Sequence, residues 1–448
     1  PFLGFGPENF SIGFDAYYDP SLPQINKIPK DLITSWWDRA HNIFFDIAVP
    51  TGILGLLSYL ALLGTLLWKL ANLKKRNPES ALKAHGMQAA LIGYLTANLF
   101  SFDTFSTYLI FFLMAGYTLC LTSAHDSTGV RESDSEKRSV FAKNLSPSMG
   151  IVKRFRYLMF VLVLVILAWF LWQFNIKPLQ INAQLQIAGY AVKNNACVQG
   201  LVLMEQVEES TPVFLGSYIK MKYADYLHQC QKQMPGKSLE FAQKGYEILR
   251  EHTKLRPFYT RSWILLGGFA NMVLEAETNA DIKNQEKIAQ LTREAHSYFA
   301  KASALSPKHQ EIHIEWAKTY LITQEYQEAR QKAKECLALY RETGECWWLL
   351  ARAEISLGDI EQGQKTIQEA AQRMYPTMSQ ESVLQLANIY IASKNYHELI
   401  QLYEQAIERE PVNVQYHAFL AVAYKEAGRF ERARATALRI LALDPNSK

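Results

Sequence analysis

The sequence lacks an excess of charge of either sign. Its 448 residues include 47 lysines and arginines against 43 aspartates and glutamates, a formal net charge of +4. Proteins that bind nucleic acid concentrate basic charge on one surface, so no nucleic-acid partner is expected. A starting methionine and a signal peptide are also missing, because the chain begins with PFLGFGPENF. We therefore expect it to be the C-terminal part of a longer protein.

Clustered metal ligands and a phosphate-binding loop are absent as well. The five cysteines form no CxxC pair and no Cys/His cluster, so neither a metal site nor a cofactor is expected. The stretch PGKS at 235–238 has Gln231 where a phosphate-binding loop needs glycine. In an oxidising compartment Cys197–Cys230 and Cys336–Cys346 could be disulfides. Buried free thiols in helices are an equally compatible interpretation.

Long apolar runs are present in the first half of the chain. A membrane-spanning helix needs about 20 apolar residues to cross roughly 30 Å of hydrocarbon. Four uncharged runs meet or approach this length: residues 47–68, 86–102, 104–124 and 157–176. Asp103 alone separates the second from the third, which predicts a tight helical hairpin. One long kinked helix is the less favoured alternative, because a charge at mid-membrane is costly.

Basic residues predict the orientation of these spans. The connection at 69–85 holds Lys69, Lys74, Lys75, Arg76 and Lys83 against one acid, and the connection before the fourth span ends in KRFR at 153–156. Lysine and arginine favour the cytoplasmic side, and with four spans both connections fall there. Residues 1–46 and everything after 176 are then extracytoplasmic. The expected location is the inner or plasma membrane.

The second half of the chain repeats with a period near 34 residues, which is typical of tetratricopeptide (TPR) repeats. A small residue recurs at this spacing, as does a large apolar residue nine positions later, and prolines close successive units. These positions are Ala317, Ala351, Ala387 and Ala421; Tyr326, Ile360, Tyr396 and Phe430; Pro376, Pro411 and Pro445. A degenerate earlier unit is predicted from Pro257, with Gly267 at the small position and an insertion around 276–290. Such arrays bind proteins or brace a neighbouring domain, and the pattern leaves both open.

The predicted fold class is therefore all-α, with polytopic transmembrane helices followed by a TPR-like α-solenoid. The expected organisation is as follows: extracytoplasmic loop 1–46, three transmembrane helices in 47–124, flexible cytoplasmic loop 125–156, fourth transmembrane helix 157–176, helical cap or linker 177–256, and TPR-like repeats 257–448.

The most specific pattern lies in residues 1–60. It combines a G-x-G-x-E-N-F opening (Gly4, Gly6, Glu8, Asn9, Phe10), a block DRAHN from Asp38 to Asn42, and a T-G-x-x-G motif (Thr51, Gly52, Gly55). Together these features resemble the last extracytoplasmic loop and following helix of the O-antigen ligase and polymerase family of membrane glycosyltransferases. The resemblance covers about 120 residues, and family members with C-terminal TPR units are familiar.

The resemblance implies an activity. Such enzymes transfer a glycan from a polyprenyl-pyrophosphate carrier to a lipid, glycan or protein acceptor outside the membrane, without a nucleotide sugar or a metal. The family places further arginines in earlier loops that this sequence does not contain. The resemblance therefore implies an incomplete donor site and an inactive fragment.

Three residues are the candidates for catalysis: His41, Arg39 and Glu8. His41 precedes a span at headgroup depth, where its imidazole could accept a proton or bind phosphate. Arg39 offers a planar fork for phosphate oxygens, and Glu8 could hold the acceptor or pair with His41. The structural alternatives are an interfacial histidine, an arginine that anchors the helix in the headgroups, and a glutamate that orders its loop. Asn42 is expected to cap the following helix.

Two classes of function remain open. The first is a membrane glycosyltransferase of the ligase or polymerase type. The second is a non-enzymatic, membrane-anchored TPR scaffold that recruits envelope proteins, with a protein partner on the array. A transporter is disfavoured because no acidic and basic pair lies within the spans.

Overall fold

The computed structural model describes residues 2–7, 9–22, 37–76, 78–126 and 149–443. Across these residues the regular secondary structure is helical and contains no β-strand, which confirms the all-α class. The chain divides into two compact units. The N-terminal unit comprises Pro1–Tyr17 and Lys30–Ile219, and the repeat unit comprises Tyr18–Pro29 and Lys220–Lys448.

The described part of the N-terminal unit is built mainly from α-helices, of which the first is short. They are α1 Phe10–Ala16, α2 Ile43–Arg76, α3 Ala81–Asn98, α4 Phe105–Asp126, α5 Met149–Leu171, α6 Lys177–Lys193 and α7 Cys197–Ser210. A π-helical segment, Trp172–Ile176, joins α5 to α6 without a break. The helix that contains the fourth predicted span therefore continues well beyond residue 176.

Three stretches of the described residues are long and apolar enough to cross a membrane: Ile43–Leu73, Ser106–Ser123 and Phe155–Lys193. The run predicted at 86–102 is not among them, because helix α3 begins earlier and carries Lys83, His85 and Gln88 in its first half. Four spans and their orientation thus stay a prediction. The tight turn around Asp103 is present, since α3 ends at Asn98 and α4 begins at Phe105.

Helices α2, α3 and α4 pack on one another around a small apolar core. Its buried members include Leu66 and Leu70 of α2, Leu91 of α3 and Phe111 of α4. Many other large apolar side chains of these helices are exposed, and none of the most apolar part of Phe155–Lys193 is buried. Helices that are apolar on all faces and unburied are typical of a lipid environment.

The repeat unit is a succession of antiparallel helix pairs. After α8 Gly216–Gln233, which runs in from the N-terminal unit, its helices are α9 Ser238–Leu255, α10 Thr260–Asn279, α11 Gln285–Leu305, α12 Gln310–Ile322, α13 Tyr326–Leu339, α14 Gly344–Ser356, α15 Ile360–Gln372, α16 Gln380–Ala392, α17 Tyr396–Arg409, α18 Val414–Glu426 and α19 Phe430–Leu443. The two helices of each pair from α10 onward pack closely on one another.

The predicted periodicity corresponds to this arrangement. Each large residue of the second series, Tyr326, Ile360, Tyr396 and Phe430, begins the second helix of its pair. Gly267 marks the small position of the degenerate unit, since a Cβ there would overlap the ring of Phe299. The insertion around 276–290 lengthens both helices of that unit. Pro445 lies outside the described residues.

A disulfide joins two successive pairs of the repeat unit. Cys336 of α13 and Cys346 of α14 are bonded, with their Cα atoms 5.9 Å apart, and both are fully buried. Of the two alternatives that the sequence leaves open for Cys336 and Cys346, the structure has the disulfide. Among the described cysteines Cys120 alone keeps a free thiol.

Candidate functional site

The motif residues of the N-terminal unit meet at a kink in helix α2. Pro50 has no backbone N–H to donate, and Gly52 takes a left-handed conformation at φ 71°, so the helix is interrupted there. The extended segment 2–6 satisfies the groups that the interruption exposes. The N–H groups of Phe5 and Gly6 donate to the carbonyls of Val49 (3.0 Å) and Pro50 (2.8 Å).

This close approach of two backbones explains the glycines of the motif. A Cβ on Gly4 would overlap the backbone of Pro50, and a Cβ on Gly52 would overlap the carbonyl of Phe2. Both glycines also have positive φ, which side-chain-bearing residues rarely adopt. The G-x-G and T-G-x-x-G patterns, which residues 7–50 separate in the sequence, therefore form one structural feature.

Asn42 fixes the start of α2, as predicted. Its Oδ1 accepts from the N–H of Phe44 at 3.1 Å, which is a helix cap. Its Nδ2 donates to the carbonyl of Leu99 at 3.1 Å and so ties this helix start to the α3–α4 turn. Asp46, one turn into α2, accepts from the N–H of Ala40 at 2.6 Å through Oδ1. Its other oxygen, Oδ2, is buried without a hydrogen-bond partner among the described residues.

Arg39 and His41 lie around one aromatic ring, that of Phe102 in the α3–α4 turn. The guanidinium of Arg39 lies 5.3 Å from the ring centroid, within cation–π range. The imidazole of His41 meets the same ring edge-on, at 5.0 Å between centroids. His41 is exposed and has a positive φ of 54°. Non-glycine residues with positive φ are uncommon, although histidine adopts this conformation more often than most residues.

The turn that carries Phe102 is held by a buried polar cluster. Asp103, 6% exposed, accepts from the hydroxyl of Tyr94 at 2.5 Å and from the amide of Asn98 at 3.1 Å. A buried carboxylate with two donors is satisfied. Asp103 thus has a structural role in the turn, and through the turn it positions Phe102.

The structure brings together two of the three predicted catalytic residues. Arg39 and His41 share the Phe102 ring, whereas Glu8 lies outside the described residues. Phe102 and Asp46 escaped the sequence analysis, because an aromatic residue beside a predicted span and an acid early in a helix are common. Asn42 and Asp46 are one helical turn apart, and this spacing was the available clue that Asp46 accepts a hydrogen bond from the DRAHN block. Across the described part of the chain no group of three or more potential ligands could hold a metal ion.

The repeat unit has a polar site of a different kind. The first helices α10, α12, α14 and α16 contact one another in succession and form one layer. Five charged side chains on this layer define the α12–α14 cluster: Glu311, Glu315 and Lys318 of α12, with Glu345 and Arg352 of α14. Lys318 forms ion pairs with Glu315 (2.7 Å) and Glu345 (3.0 Å).

The cluster perturbs the ionisation of its members. Burial raises the pKa of Glu311 to about 8, and the neighbouring carboxylates of Glu345 and Glu315 act in the same direction. Burial alone would lower the pKa of Lys318, but Glu315, Glu345 and Glu311 outweigh it and hold that pKa well above its ordinary value. The cluster thus holds three closely spaced carboxyl groups, of which Glu311 is neutral at pH 7 and the other two pair with Lys318.

Arg352 completes the cluster. Burial lowers the pKa of its guanidinium, while Tyr375, Glu275, Glu381 and Glu345 oppose that effect. Its Nε atom is buried and has no hydrogen-bond partner among the described residues. On the same helix Trp348 stacks on Tyr375 at 5.2 Å and donates to Gln385 at 2.9 Å. The arrangement combines charge of both signs, a buried donor without a partner among the described residues, and a stacked aromatic pair.

Comparisons with known proteins bear on the repeat unit. The family profile described as tetratricopeptide repeat matches residues 390–448. The C-terminal repeats are tetratricopeptide repeats. The TPR repeat-containing protein YpiA of Bacillus subtilis (strain 168) is 25% identical over 146 residues, or 33% of this chain. That alignment spans only about a third of YpiA (34%).

Two solved TPR structures are also similar. TTC0263, a thermophilic TPR protein of Thermus thermophilus, is 16% identical with a TM-score of 0.32, over 54% of this chain and 98% of that one. YrrB, described as a TPR protein with an unusual peptide-binding site, is 15% identical with a TM-score of 0.29, over 44% and 93%.

Proposed function

We propose that this chain is a membrane-anchored TPR scaffold whose array binds a polypeptide segment of an envelope protein. The observation that carries this proposal is the α12–α14 cluster. It lies on the layer of first helices, it holds the carboxylates of Glu315 and Glu345 beside Lys318, and the Nε donor of Arg352 has no partner among the described residues. A segment that presents lysine or arginine to the carboxylates, and a carbonyl to Arg352, would satisfy these groups.

Two features support an anchored, extracytoplasmic array. The stretch Phe155–Lys193 is long and apolar enough to span a membrane and lies N-terminal to the repeats in the sequence. The buried Cys336–Cys346 disulfide favours an oxidising compartment, because such bonds are rare in the cytosol. The disulfide agrees with the orientation that the basic connections predict.

Site-specific photo-cross-linking of the full-length protein in cells tests the scaffold. The photoreactive residue replaces Glu345 in the cluster or, as a matched control, Glu361, an exposed glutamate at the start of α15. One discrete partner band from position 345, absent from position 361 and lost with Arg352→Ala, is expected. Equal labelling from both positions would contradict partner binding at the cluster.

A second candidate function is glycan transfer from a polyprenyl-pyrophosphate carrier to an extracytoplasmic acceptor. The observation that favours it is the joining of the separate motif pieces: segment 2–6 seals the kink at Pro50, and Arg39 and His41 share the Phe102 ring. An aromatic ring flanked by a guanidinium and an imidazole is a suitable binding site for a lipid pyrophosphate.

In this candidate each residue has a definite task. The acceptor hydroxyl oxygen attacks the anomeric carbon, the bond from that carbon to the pyrophosphate oxygen breaks, and the electron pair leaves with the pyrophosphate. His41 takes the hydroxyl proton. Arg39 neutralises the charge that develops on the phosphate through its planar fork of donors. Glu8 remains the third proposed residue, as a ligand of the acceptor.

Glycan transfer by the full-length protein in cells tests this candidate, with membrane levels matched to wild type. His41→Asn is the informative variant, because asparagine tolerates positive φ and removes only the titratable ring. Arg39→Lys keeps the charge but loses the fork. Loss of transfer in both, with normal insertion, is expected. Full activity in His41→Asn would leave the histidine as an interfacial residue and favour the scaffold alone.

A further inference from the structure

A short segment of the N-terminal loop is seated on the repeat unit. Residues 18–22 follow helix α1 in the sequence but belong to the same compact unit as the array. Tyr18 is only 8% exposed, whereas its neighbour Tyr17 is 85% exposed. Two adjacent tyrosines in one loop thus differ in exposure. The burial of Tyr18 requires a complementary surface that covers its ring.

That surface is the corner that precedes helix α12. The ring of Tyr18 stacks on the imidazole of His309, with 4.2 Å between centroids and 26° between planes. His309 is 4% exposed, and burial lowers its pKa to about 3, with a further contribution from His313. The imidazole therefore stays neutral at physiological pH and suits an apolar stacking contact.

Next to this stack a side chain of the array donates a hydrogen bond to the backbone of the segment. The Nε2 of Gln310 donates to the carbonyl of Pro20 at 2.8 Å, and the same nitrogen lies 3.3 Å from the hydroxyl of Thr343. Gln310 is 6% exposed, so this hydrogen bond is shielded from water. A buried amide without an acceptor is destabilising. The hydrogen bond from Gln310 therefore favours the state in which residues 18–22 contact the array.

Further interactions hold both sides of the contact in place. In the segment, Oδ1 of Asp19 accepts from the backbone N–H and the hydroxyl of Ser21 at 2.9 and 2.8 Å, which closes a turn. Lys308 of the array adds a favourable charge interaction with Asp19. In the array, Sγ of Cys336 contacts the carbonyl of Gln310 at 3.8 Å, so the Cys336–Cys346 disulfide backs the corner.

We infer that the corner formed by Lys308, His309, Gln310 and Thr343 is an intramolecular docking site for residues 18–22. The TPR array binds a segment of its own chain there, through one stacked tyrosine and one carbonyl.

Thiol cross-linking in the full-length protein tests the docking site. The background is Cys120→Ser, which removes the free thiol, and a protease site placed between residues 127 and 148 allows the two parts of the chain to be separated. Pro20→Cys is combined with Gln310→Cys or, as a control, with Val414→Cys, the equivalent position of a later repeat. A short bis-maleimide should join the fragments in the Gln310 pair and not in the Val414 pair.

A second comparison uses the two tyrosines within the Gln310 pair. Tyr18→Ala should lower the cross-linking rate about tenfold or more, because burial and stacking of one tyrosine are together worth at least that factor in an equilibrium. Tyr17→Ala should leave the rate unchanged. Equal rates in the Gln310 and Val414 pairs, or equal effects of the two tyrosine variants, would overturn the docking site.

Discussion

The two units of this chain differ in the kind of contact that stabilises each of them. In the N-terminal unit the motif region depends on backbone against backbone, with glycines where a Cβ cannot fit, as at Gly4 and Gly52. In the repeat unit large side chains fill space left by small ones, as Phe299 does over Gly267. The first kind of contact tolerates no added atom, whereas the second tolerates repacking. Substitutions can test this difference directly.

The largest effect is expected at the kink of α2. Gly52→Ala places a methyl group against the carbonyl of Phe2 and forces a side chain onto a positive φ. Steric overlap and backbone strain together should cost about 3 kcal/mol or more. The melting temperature in detergent, followed by tryptophan fluorescence, should fall by many degrees.

Gly64→Ala is the matched control for this prediction. Gly64 lies in the same helix, and nothing is within 4 Å of the position of its missing Cβ. Alanine there should be neutral or stabilising by up to about 1 kcal/mol, because it raises helix propensity. Equal melting temperatures for the two variants would show that segment 2–6 does not seal the kink.

A smaller effect is expected from the disulfide of the repeat unit. Cys336→Ser combined with Cys346→Ser removes a cross-link over a sequence separation of 10 residues. The chain-entropy relation gives about 2–3 kcal/mol for a loop of that size. Cys120→Ser, which changes an exposed free thiol, should leave the melting temperature unchanged. A melting temperature that the double substitution leaves at the wild-type value would show that the cross-link does not stabilise the array.

The same comparison explains how much of the fold the sequence predicts. The repeats are predictable, because each pair must place a small and a large residue at a fixed spacing, and Tyr326, Ile360, Tyr396 and Phe430 duly begin the second helices. Helix α3 is harder, because its apolar run starts at 86 while the helix begins at Ala81 with polar residues. Apolar composition locates a segment, but it does not set the ends of a helix.

The candidate site is only partly predictable, for a physical reason. The cap at Asn42 follows from local sequence, as does the place of Arg39 and His41 before α2. Their partner Phe102 comes from a turn about sixty residues later, and no periodicity links the two. The seating of Tyr18 on His309 is equally non-local. Contacts that depend on tertiary structure leave no trace in a single sequence.

A still smaller effect is expected at the α3–α4 turn. Asp103→Asn replaces a carboxylate that accepts from both Tyr94 and Asn98 by an amide with one acceptor oxygen. One donor is left facing the amide nitrogen, which should cost about 1–3 kcal/mol. If the turn positions Phe102, cysteine labelling of His41→Cys should become faster in this background. An unchanged labelling rate would separate the turn from the site around Phe102.

The last prediction concerns the pH dependence of stability in the repeat unit. Burial, together with Glu345 and Glu315, raises the pKa of Glu311 from 4.5 to about 8 in the folded chain. Between these values the unfolded chain is ionised at this position and the folded chain is not. The contribution of Glu311 to stability is therefore fully present below pH 4.5 and is lost as pH rises through about 8.

Glu311→Gln should remove this dependence while it keeps the shape of the side chain. Melting temperatures of the wild type and the variant should agree at the acid end of the range and diverge towards alkaline pH, with the variant higher. Glu361→Gln is the control, because Lys365 lowers the pKa of that exposed carboxyl through a hydrogen bond. If the melting temperature of the wild type changed with pH in the same way as that of Glu311→Gln, the pKa of Glu311 would be the same in the folded and the unfolded chain. The charged groups of the α12–α14 cluster would then be exposed to solvent and not buried.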